Sequence, residues 1–148
     1  MNPLAILAAL AALVAVATLL GLIWRVRQGK VTAGSGETIT AADLASDAPL
    51  GASATLVQFS AELCSRCPGT RRMLSTLAAD RPGVEFLDVD LTHRADMANR
   101  FNIMQTPTTF ILDRSGRIRA RIGGVPNRDS ITEQLNDLTG RNNVRIAA

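Results

Sequence analysis

Two cysteines separated by two residues are the feature of this chain best suited to chemistry. Cys64 and Cys67 are the only cysteines among 148 residues. Residues three apart on a helix share a face, with Cβ atoms about 5–6 Å apart. A disulfide can close over that distance with little movement of the backbone. In the reduced pair, the thiolate of one cysteine can attack a disulfide of another molecule. The spacing therefore predicts thiol–disulfide exchange.

The surroundings of the pair predict which cysteine attacks. A buried strand is predicted before the pair, and a helical pattern follows it to about residue 79. Cys64 lies nearer the predicted helix start, where unpaired N–H groups and the helix dipole favour thiolate. Arg66 adds a positive charge and Ser65 a hydroxyl donor, so we expect both to lower the pKa of Cys64. We assign attack to Cys64 and resolution of the mixed disulfide to Cys67.

Three other roles for the cysteines remain as alternatives. A zinc site needs about four ligands, whereas the sequence has one histidine and no third cysteine. A purely structural disulfide would close so short a loop that it constrains the unfolded chain little. Two unrelated core cysteines are the third alternative. A C-x-x-C pair that follows a strand favours redox chemistry over all three, and we predict neither a metal nor a cofactor.

The N-terminal segment has the length and composition of a membrane span. Residues Leu4–Trp24 are apolar except for Thr18 and Gly21. As a helix they extend about 31 Å, the thickness of the hydrocarbon core of a bilayer, and Trp24 would lie at the interface. A cleaved signal peptide, the alternative, would need a positive region first and a shorter apolar run. We predict a single transmembrane anchor over residues 1–24.

Charge is concentrated directly after the span. Arg25, Arg27 and Lys30 account for the formal net charge of +3, since 13 later arginines balance 13 acidic residues. A neutral domain with few aromatic residues argues against nucleic-acid binding. The basic cluster predicts a cytoplasmic domain, with an exported domain as the alternative, and can attract anionic membrane lipid. Residues 25–37, which include Gly34-Ser35-Gly36, are predicted to be a basic juxtamembrane segment and flexible linker.

Residues 38–148 are predicted to form one domain. Strands are predicted at Ala54–Ser60, Val84–Asp90, Pro107–Leu112 and Arg117–Ile122. Helices are predicted from Thr40 to about Ser46, Cys64 to about Ala79, His93 to Phe101, and Arg128, after an Asn127 cap, to about Leu138. After the short leading helix, the order is β–α–β–α–β–β–α. It predicts an α/β fold with a mixed sheet flanked by helices.

The soluble part of the chain resembles thioredoxin from about residue 52 to residue 138. The segment V-Q-F-S-A-E-L-C-S-R-C is similar to the family's V-D-F-W-A-x-W-C-G-P-C, and N-I-M-Q-T-P-T is similar to its G-I-x-x-x-P-T. The resemblance implies a thioredoxin-like fold and a cis Thr106–Pro107 bond that faces the cysteines. It also implies that exposed backbone at Thr106, at Pro107 and near Gly123 binds the substrate chain. The implied partners are protein disulfides and an unidentified electron donor or acceptor.

Some positions depart from the family's pattern. Gln58 replaces a buried Asp that is thought to move protons for the buried cysteine, and Phe86 replaces the lysine that usually faces it. Because Gln cannot act as an acid or base, we expect this proton route to be absent or to run through water. Pro68 lacks an N–H group and disfavours a helical Cys67, so we expect an irregular first helical turn.

The combined pattern predicts a membrane-anchored thiol–disulfide oxidoreductase in redox homeostasis, working in the reductase direction on protein disulfides. A non-catalytic binding module with the same fold is one alternative, favoured by Gln58. An exported oxidoreductase that matures disulfides or haem proteins is another. Proteins of the haem-maturation type usually carry an insertion in the middle of the domain, and the sequence has no room for one between Asp90 and Pro107.

Overall fold

The computed structural model describes residues 3–27 and 29–140. The helices are α1 (Pro3–Arg27), α2 (Cys67–Ala79), α3 (Ala95–Arg100) and α4 (Arg128–Leu138), with a 3₁₀ turn at Ala42–Leu44. The strands are β1 (Val31–Ala33), β2 (Ala54–Ser60), β3 (Val84–Asp90), β4 (Thr108–Asp113) and β5 (Ile118–Gly123). The four strands and the later helices predicted from the sequence are all present, with ends shifted by a few residues.

One mixed sheet organises the domain, in the order β1-β5-β4-β2-β3. The pair β2–β3 is parallel, with α2 as the crossover between the two strands, and the other pairs are antiparallel. This confirms the predicted α/β fold with a mixed sheet. Every residue of strand β2 is buried. The strand is therefore held firmly in the sheet and fixes where the chain leaves it toward the cysteines.

The core consists of two apolar clusters, one on each face of the sheet. Side chains alternate across a strand, so Leu56 joins Leu74 and Ile131 on the face covered by α2 and α4. Phe59 joins Phe101 and Phe110 on the other face, with ring centroids 4.9–6.2 Å apart. Both faces of the sheet are therefore covered, as the apolar pattern of its strands predicts.

The segment predicted to be a flexible linker contains strand β1, so that prediction is wrong for Val31–Ala33. The strand pairs with β5 and forms the edge of the sheet, with Val31 opposite Ile122. Gly34, which suggested flexibility, allows two backbones to approach each other: its N–H donates to the Arg119 carbonyl at 2.9 Å. A Cβ atom at this position would lie 2.1 Å from the Ile118 carbonyl oxygen. Gly34 therefore allows close packing against β5, and it does not indicate a flexible segment.

The predicted capping pattern before the 3₁₀ turn is confirmed, although the turn is shorter than the predicted helix. The Thr40 N–H donates to the Asp43 carboxylate at 2.8 Å, and the Asp43 N–H donates to the Thr40 hydroxyl at 3.2 Å. Hydrogen bonds from the Thr40 backbone and hydroxyl, then one from Arg100, lower the pKa of Asp43 to about 2. Asn127 caps α4 as predicted, accepting hydrogen bonds from the N–H groups of Asp129 and Ser130.

Helix α1 is long and apolar enough to cross a membrane. Its segment Pro3–Arg25 has a mean hydropathy of 2.8 and is not buried against the rest of the chain. A signal sequence near an N-terminus would have the same properties, so the helix by itself fixes neither anchoring nor sidedness. It is compatible with the predicted anchor.

Candidate active site

Cys64 and Cys67 form a disulfide in the turn between β2 and α2, with Cα atoms 5.4 Å apart. The Cys64 N–H donates to the Ala61 carbonyl at 3.1 Å, and the Cys67 N–H donates to the Cys64 carbonyl at 3.2 Å. Helix α2 begins at Cys67 rather than at Cys64, so the predicted start was three residues too early. Cys67 is helical despite Pro68, and Arg66 has right-handed helical angles (φ −91°, ψ −17°), so the expectation of an irregular first helical turn is wrong. Proline is accepted in the first turn of α2 because its missing N–H would have no partner within the helix.

The two sulfur-bearing residues differ in exposure. Cys67 is 4% exposed, whereas Cys64 is partly exposed at the end of the turn. A substrate disulfide approaching from solvent can therefore reach Cys64 and not Cys67. This difference supports the predicted roles of attacking and resolving cysteine.

A surface cavity of about 330 Å³ lies next to the disulfide. It is lined by Trp24, Leu63, Cys64, Ser65, Arg66, Gln105, Thr106, Pro107 and Gly124. The structure thus brings together five residues that the sequence predicted for the site, although they come from two separate segments. The Thr106–Pro107 bond is cis, as the resemblance implied.

Gly123 lies beside the cavity rather than among its lining residues. Its carbonyl accepts a hydrogen bond of 2.9 Å from the Gly29 N–H, while the Gly124 N–H donates to the Pro107 carbonyl at 2.8 Å. The next residue, Gly124, lines the cavity in place of Gly123. The role of Gly123 in binding a substrate chain stays a prediction, and Gly29 competes for its carbonyl.

The loop that leads to the cis bond is held by Arg121 from β5. The Arg121 guanidinium donates to the backbone carbonyls of Phe101 and Asn102 and lies 5.2 Å from the centre of the Phe110 ring. Burial lowers the pKa of Arg121. Asn102 has a positive φ of 50°, a backbone conformation that asparagine tolerates better than most residues. These contacts therefore fix the backbone of the loop that leads to Thr106 and Pro107.

Beneath the cysteines, Gln58 occupies the position of the family's proton-moving Asp. Its side chain is fully buried, and its Nε2 donates to the Cys67 carbonyl at 3.1 Å. Its Oε1 has no hydrogen-bond partner. The amide therefore holds the first turn of α2 and offers a neutral acceptor close to Cys67, which fits the expectation that the usual acid is absent.

Asp88 is a neighbour of Gln58 that the sequence analysis missed. The parallel register places Asp88 directly opposite Gln58, whereas Phe86 lies opposite Leu56 and packs into the core. The Asp88 carboxylate accepts a hydrogen bond from the Ser60 hydroxyl at 3.1 Å and pairs with Arg71. The period-two alternation of β3 could have revealed it, because Asp88 and Phe86 fall on the same face.

A smaller cavity on the other side of the disulfide contains both cysteines and Asp90. Hydrogen bonds from the Thr92 hydroxyl and N–H lower the pKa of Asp90, so its carboxylate stays charged near neutral pH. Within residues 3–27 and 29–140, no three His, Cys, Asp or Glu side chains lie close enough together to hold a metal ion.

Three large apolar side chains stand exposed at the site, and we call them the apolar rim. They are Trp24, Leu63 and Met104, which are 65%, 97% and 85% exposed. Trp24 and Leu63 line the main cavity, and Met104 directly precedes the lining residue Gln105. Trp24 was predicted only as an interfacial residue of the anchor, because nothing in the sequence places it beside Cys64.

Comparison with known proteins identifies the relatives of this chain. A family model described as Thioredoxin matches residues 38–137. A thioredoxin from Chlamydia trachomatis is 31% identical over 80 residues, which cover 54% of this chain and 78% of that protein. A thioredoxin from Chlamydia pneumoniae is 28% identical over 90 residues, covering 61% and 87%.

Solved structures show the same fold. A thioredoxin variant from Halobacterium salinarum superposes with a TM-score of 0.52 at 17% identity, covering 59% of this chain and 75% of that one. A thioredoxin from Fasciola hepatica gives a TM-score of 0.50 at 23% identity, covering 59% and 82%. At these identities the likeness concerns the fold alone.

Proposed function

Because this chain belongs to the thioredoxin family, we propose that it is a single-pass, membrane-anchored thiol–disulfide oxidoreductase that reduces disulfides of other proteins. One observation carries the proposal. A partly exposed Cys64, bonded to a buried Cys67, lies in a cavity that also contains the cis Thr106–Pro107 segment. This arrangement places a reactive sulfur beside backbone that an extended substrate can contact.

The turnover needs only the two cysteines and an external dithiol. The Cys64 thiolate attacks one sulfur of the substrate disulfide, and the other substrate sulfur leaves as a thiolate that takes up a proton. Cys67 then loses its proton and attacks the Cys64 sulfur, which releases the second substrate thiol. Two electrons and two protons pass to the substrate, and the Cys64–Cys67 disulfide remains. A dithiol donor reduces that disulfide again.

The chain's own residues assist two of these steps. Arg66 and Ser65 line the cavity beside Cys64, where a positive charge and a hydroxyl donor favour the thiolate. Gln58 donates a hydrogen bond to the Cys67 carbonyl and supplies no acid or base, so the proton of Cys67 has to go to an acceptor other than Gln58. We expect the resolving step to be slower than in relatives that have a buried Asp at this position.

Membrane anchoring is supported by the length and hydropathy of α1 and by the basic residues that follow it. The same basic residues favour a cytoplasmic domain, where a dithiol pair is kept reduced and acts as a reductase. A chain that high salt releases from membranes would contradict the anchor. Degradation of the domain by protease added outside intact cells would contradict its cytoplasmic location.

The activity is tested with the full chain in detergent micelles, a small dithiol as donor and a water-soluble peptide that contains one disulfide. The wild type should accelerate reduction of the peptide by at least about tenfold over the donor alone. Cys64→Ser should abolish the acceleration. Ser75→Ala, at a half-buried position of α2 that lines neither cavity beside the disulfide, should leave it unchanged. If the wild type performs no better than Cys64→Ser, the chain is a binding module and the proposed enzyme function fails.

A further inference from the structure

The end of the anchor helix reaches the catalytic cavity. Trp24, one turn before the end of α1, lines the same cavity as Cys64, Thr106 and Pro107. Forty positions of sequence separate Trp24 from Cys64, so the fold itself brings them together. The anchor therefore supplies part of the wall around the reactive disulfide.

The connection between anchor and domain is short and is built into the sheet. In the sequence a single residue, Gln28, separates the last residue of α1 from Gly29. The Gly29 N–H already donates to the Gly123 carbonyl in β5, and β1 begins at Val31. Gly29 has a φ of +72°, and a Cβ atom there would lie 2.6 Å from the Val125 carbonyl oxygen. The helix is thus joined directly to the sheet edge beside the active site.

This connection sets the height of Cys64 above a bilayer. If α1 spans the membrane, the indole of Trp24 lies at the lipid–water interface. The three residues from Trp24 to the helix end add only about 4.5 Å. The cavity that Trp24 lines must then open at the level of the lipid head groups. Leu63 and Met104 are exposed, and at this depth they can bury apolar surface at the boundary between head groups and acyl chains.

We propose that the substrates are disulfides of membrane proteins located at the bilayer surface. The apolar rim receives apolar residues that flank the substrate cysteines. This inference rests on the proposed function and names the substrate class of the same site. The exchange reaction is the one described above, with the membrane-protein disulfide reduced and the Cys64–Cys67 dithiol oxidised. A disulfide held far above the membrane would meet Cys64 only when its own chain folds back toward the surface.

The test uses the full chain in liposomes with a dithiol donor and three forms of one disulfide-containing peptide. The first form is free in solution, the second directly follows a synthetic transmembrane helix, and the third follows that helix after a Gly/Ser spacer of about 30 residues. The juxtamembrane disulfide should be reduced about tenfold faster than the spaced one at equal surface density, because its effective concentration at Cys64 is higher.

Two insertion variants isolate the cause of this preference. About ten Gly/Ser residues inserted after Gln28 lengthen the connection by a root-mean-square distance of about 17 Å. This variant should lose the preference for the juxtamembrane disulfide over the spaced one. Its rate on the free peptide, measured alongside, reports any effect of moving Trp24 out of the cavity wall. The same insertion between Ser35 and Gly36 is the matched control. It lengthens a loop after β1, leaves the short connection intact and should keep the preference.

The outcomes separate the two proposals. If the free peptide is reduced but the two membrane-bound disulfides react at equal rates, the inference fails and the proposed function stands. A preference that survives the insertion after Gln28 also contradicts the inference, since the short connection would not be its cause. If no form is reduced, the proposed function fails and the inference fails with it.

Discussion

Among single residues, we expect Cys64 and Arg66 to control how the site reacts. Cys64 offers the accessible sulfur, and Arg66 stands exposed two positions later on the same cavity wall. A guanidinium stabilises the thiolate, which exists only in the reduced protein, and does little for the neutral disulfide. Removing it should therefore raise the pKa of Cys64 and make the pair less oxidising.

We expect Arg66→Ala to shift the reduction potential of the pair downward by about 20–30 mV, or about 1 kcal/mol, since exposed charges are screened. The potential is measured by equilibration with a glutathione buffer, and the pKa of Cys64 by thiolate absorbance against pH. Arg72→Ala is the matched control, because it removes the same charge from α2 at a position outside the cavity lining. Equal shifts in both variants would show that net charge acts and that the location of Arg66 does not matter.

The helices and strands differ in how far the sequence predicts them. Strand β2 was predictable from a run rich in β-branched and aromatic residues. The other strands were predictable from similar short runs bounded by turn residues. Strand β1 was missed because its three residues carry little pattern and a glycine follows directly. The start of α2 was placed at Cys64 because the C-x-x-C spacing fits a helix. In the structure the chain makes a turn at Ser65 and Arg66, closed by the hydrogen bond from the Cys67 N–H to the Cys64 carbonyl, and α2 begins at Cys67.

Gly34→Ala tests the close packing of the segment after β1 against β5. The added Cβ would overlap the Ile118 carbonyl oxygen, a backbone atom that cannot move away alone. We expect the free energy of unfolding to fall by about 1–3 kcal/mol, as for other overpacked sites. Urea unfolding in micelles, followed by circular dichroism, measures it. Gly69→Ala is the control, because a Cβ there meets nothing within 4 Å. Equal stability of Gly34→Ala and wild type would mean that β1 does not pack as described.

The turn capped by Asp43 should give the domain an acid-sensitive contribution to stability. The folded-state pKa of Asp43, about 2, lies below its ordinary value of 3.8. A depressed carboxyl pKa stabilises the fold above the ordinary value, and this stabilisation is lost as the pH falls through the folded-state pKa. The advantage of wild type over Asp43→Asn should therefore be constant near neutral pH and shrink from about pH 4 to pH 2. An advantage that does not change with pH would contradict this assignment.

In the whole molecule, helix α1 and the thioredoxin domain meet at the cavity of Cys64. The sequence predicted both parts and the residues of the cysteine pair, because each has a strong local pattern. It could not predict that Trp24 and Cys64 share a cavity, since that contact depends on the pairing of β1 with β5. We propose that this connection decides which disulfides the site can meet.

We propose that the anchored chain exchanges disulfides through Cys64, with Cys67 as the resolving residue. The most direct test adds a disulfide-containing peptide to membranes bearing the full chain as Cys67→Ser or as Cys64→Ser, followed by mass spectrometry of the adduct. We predict a stable mixed disulfide between the peptide and Cys64 in Cys67→Ser, and no comparable adduct in Cys64→Ser, because the remaining cysteine is buried. An adduct on Cys67 in Cys64→Ser, with none in Cys67→Ser, would contradict the account.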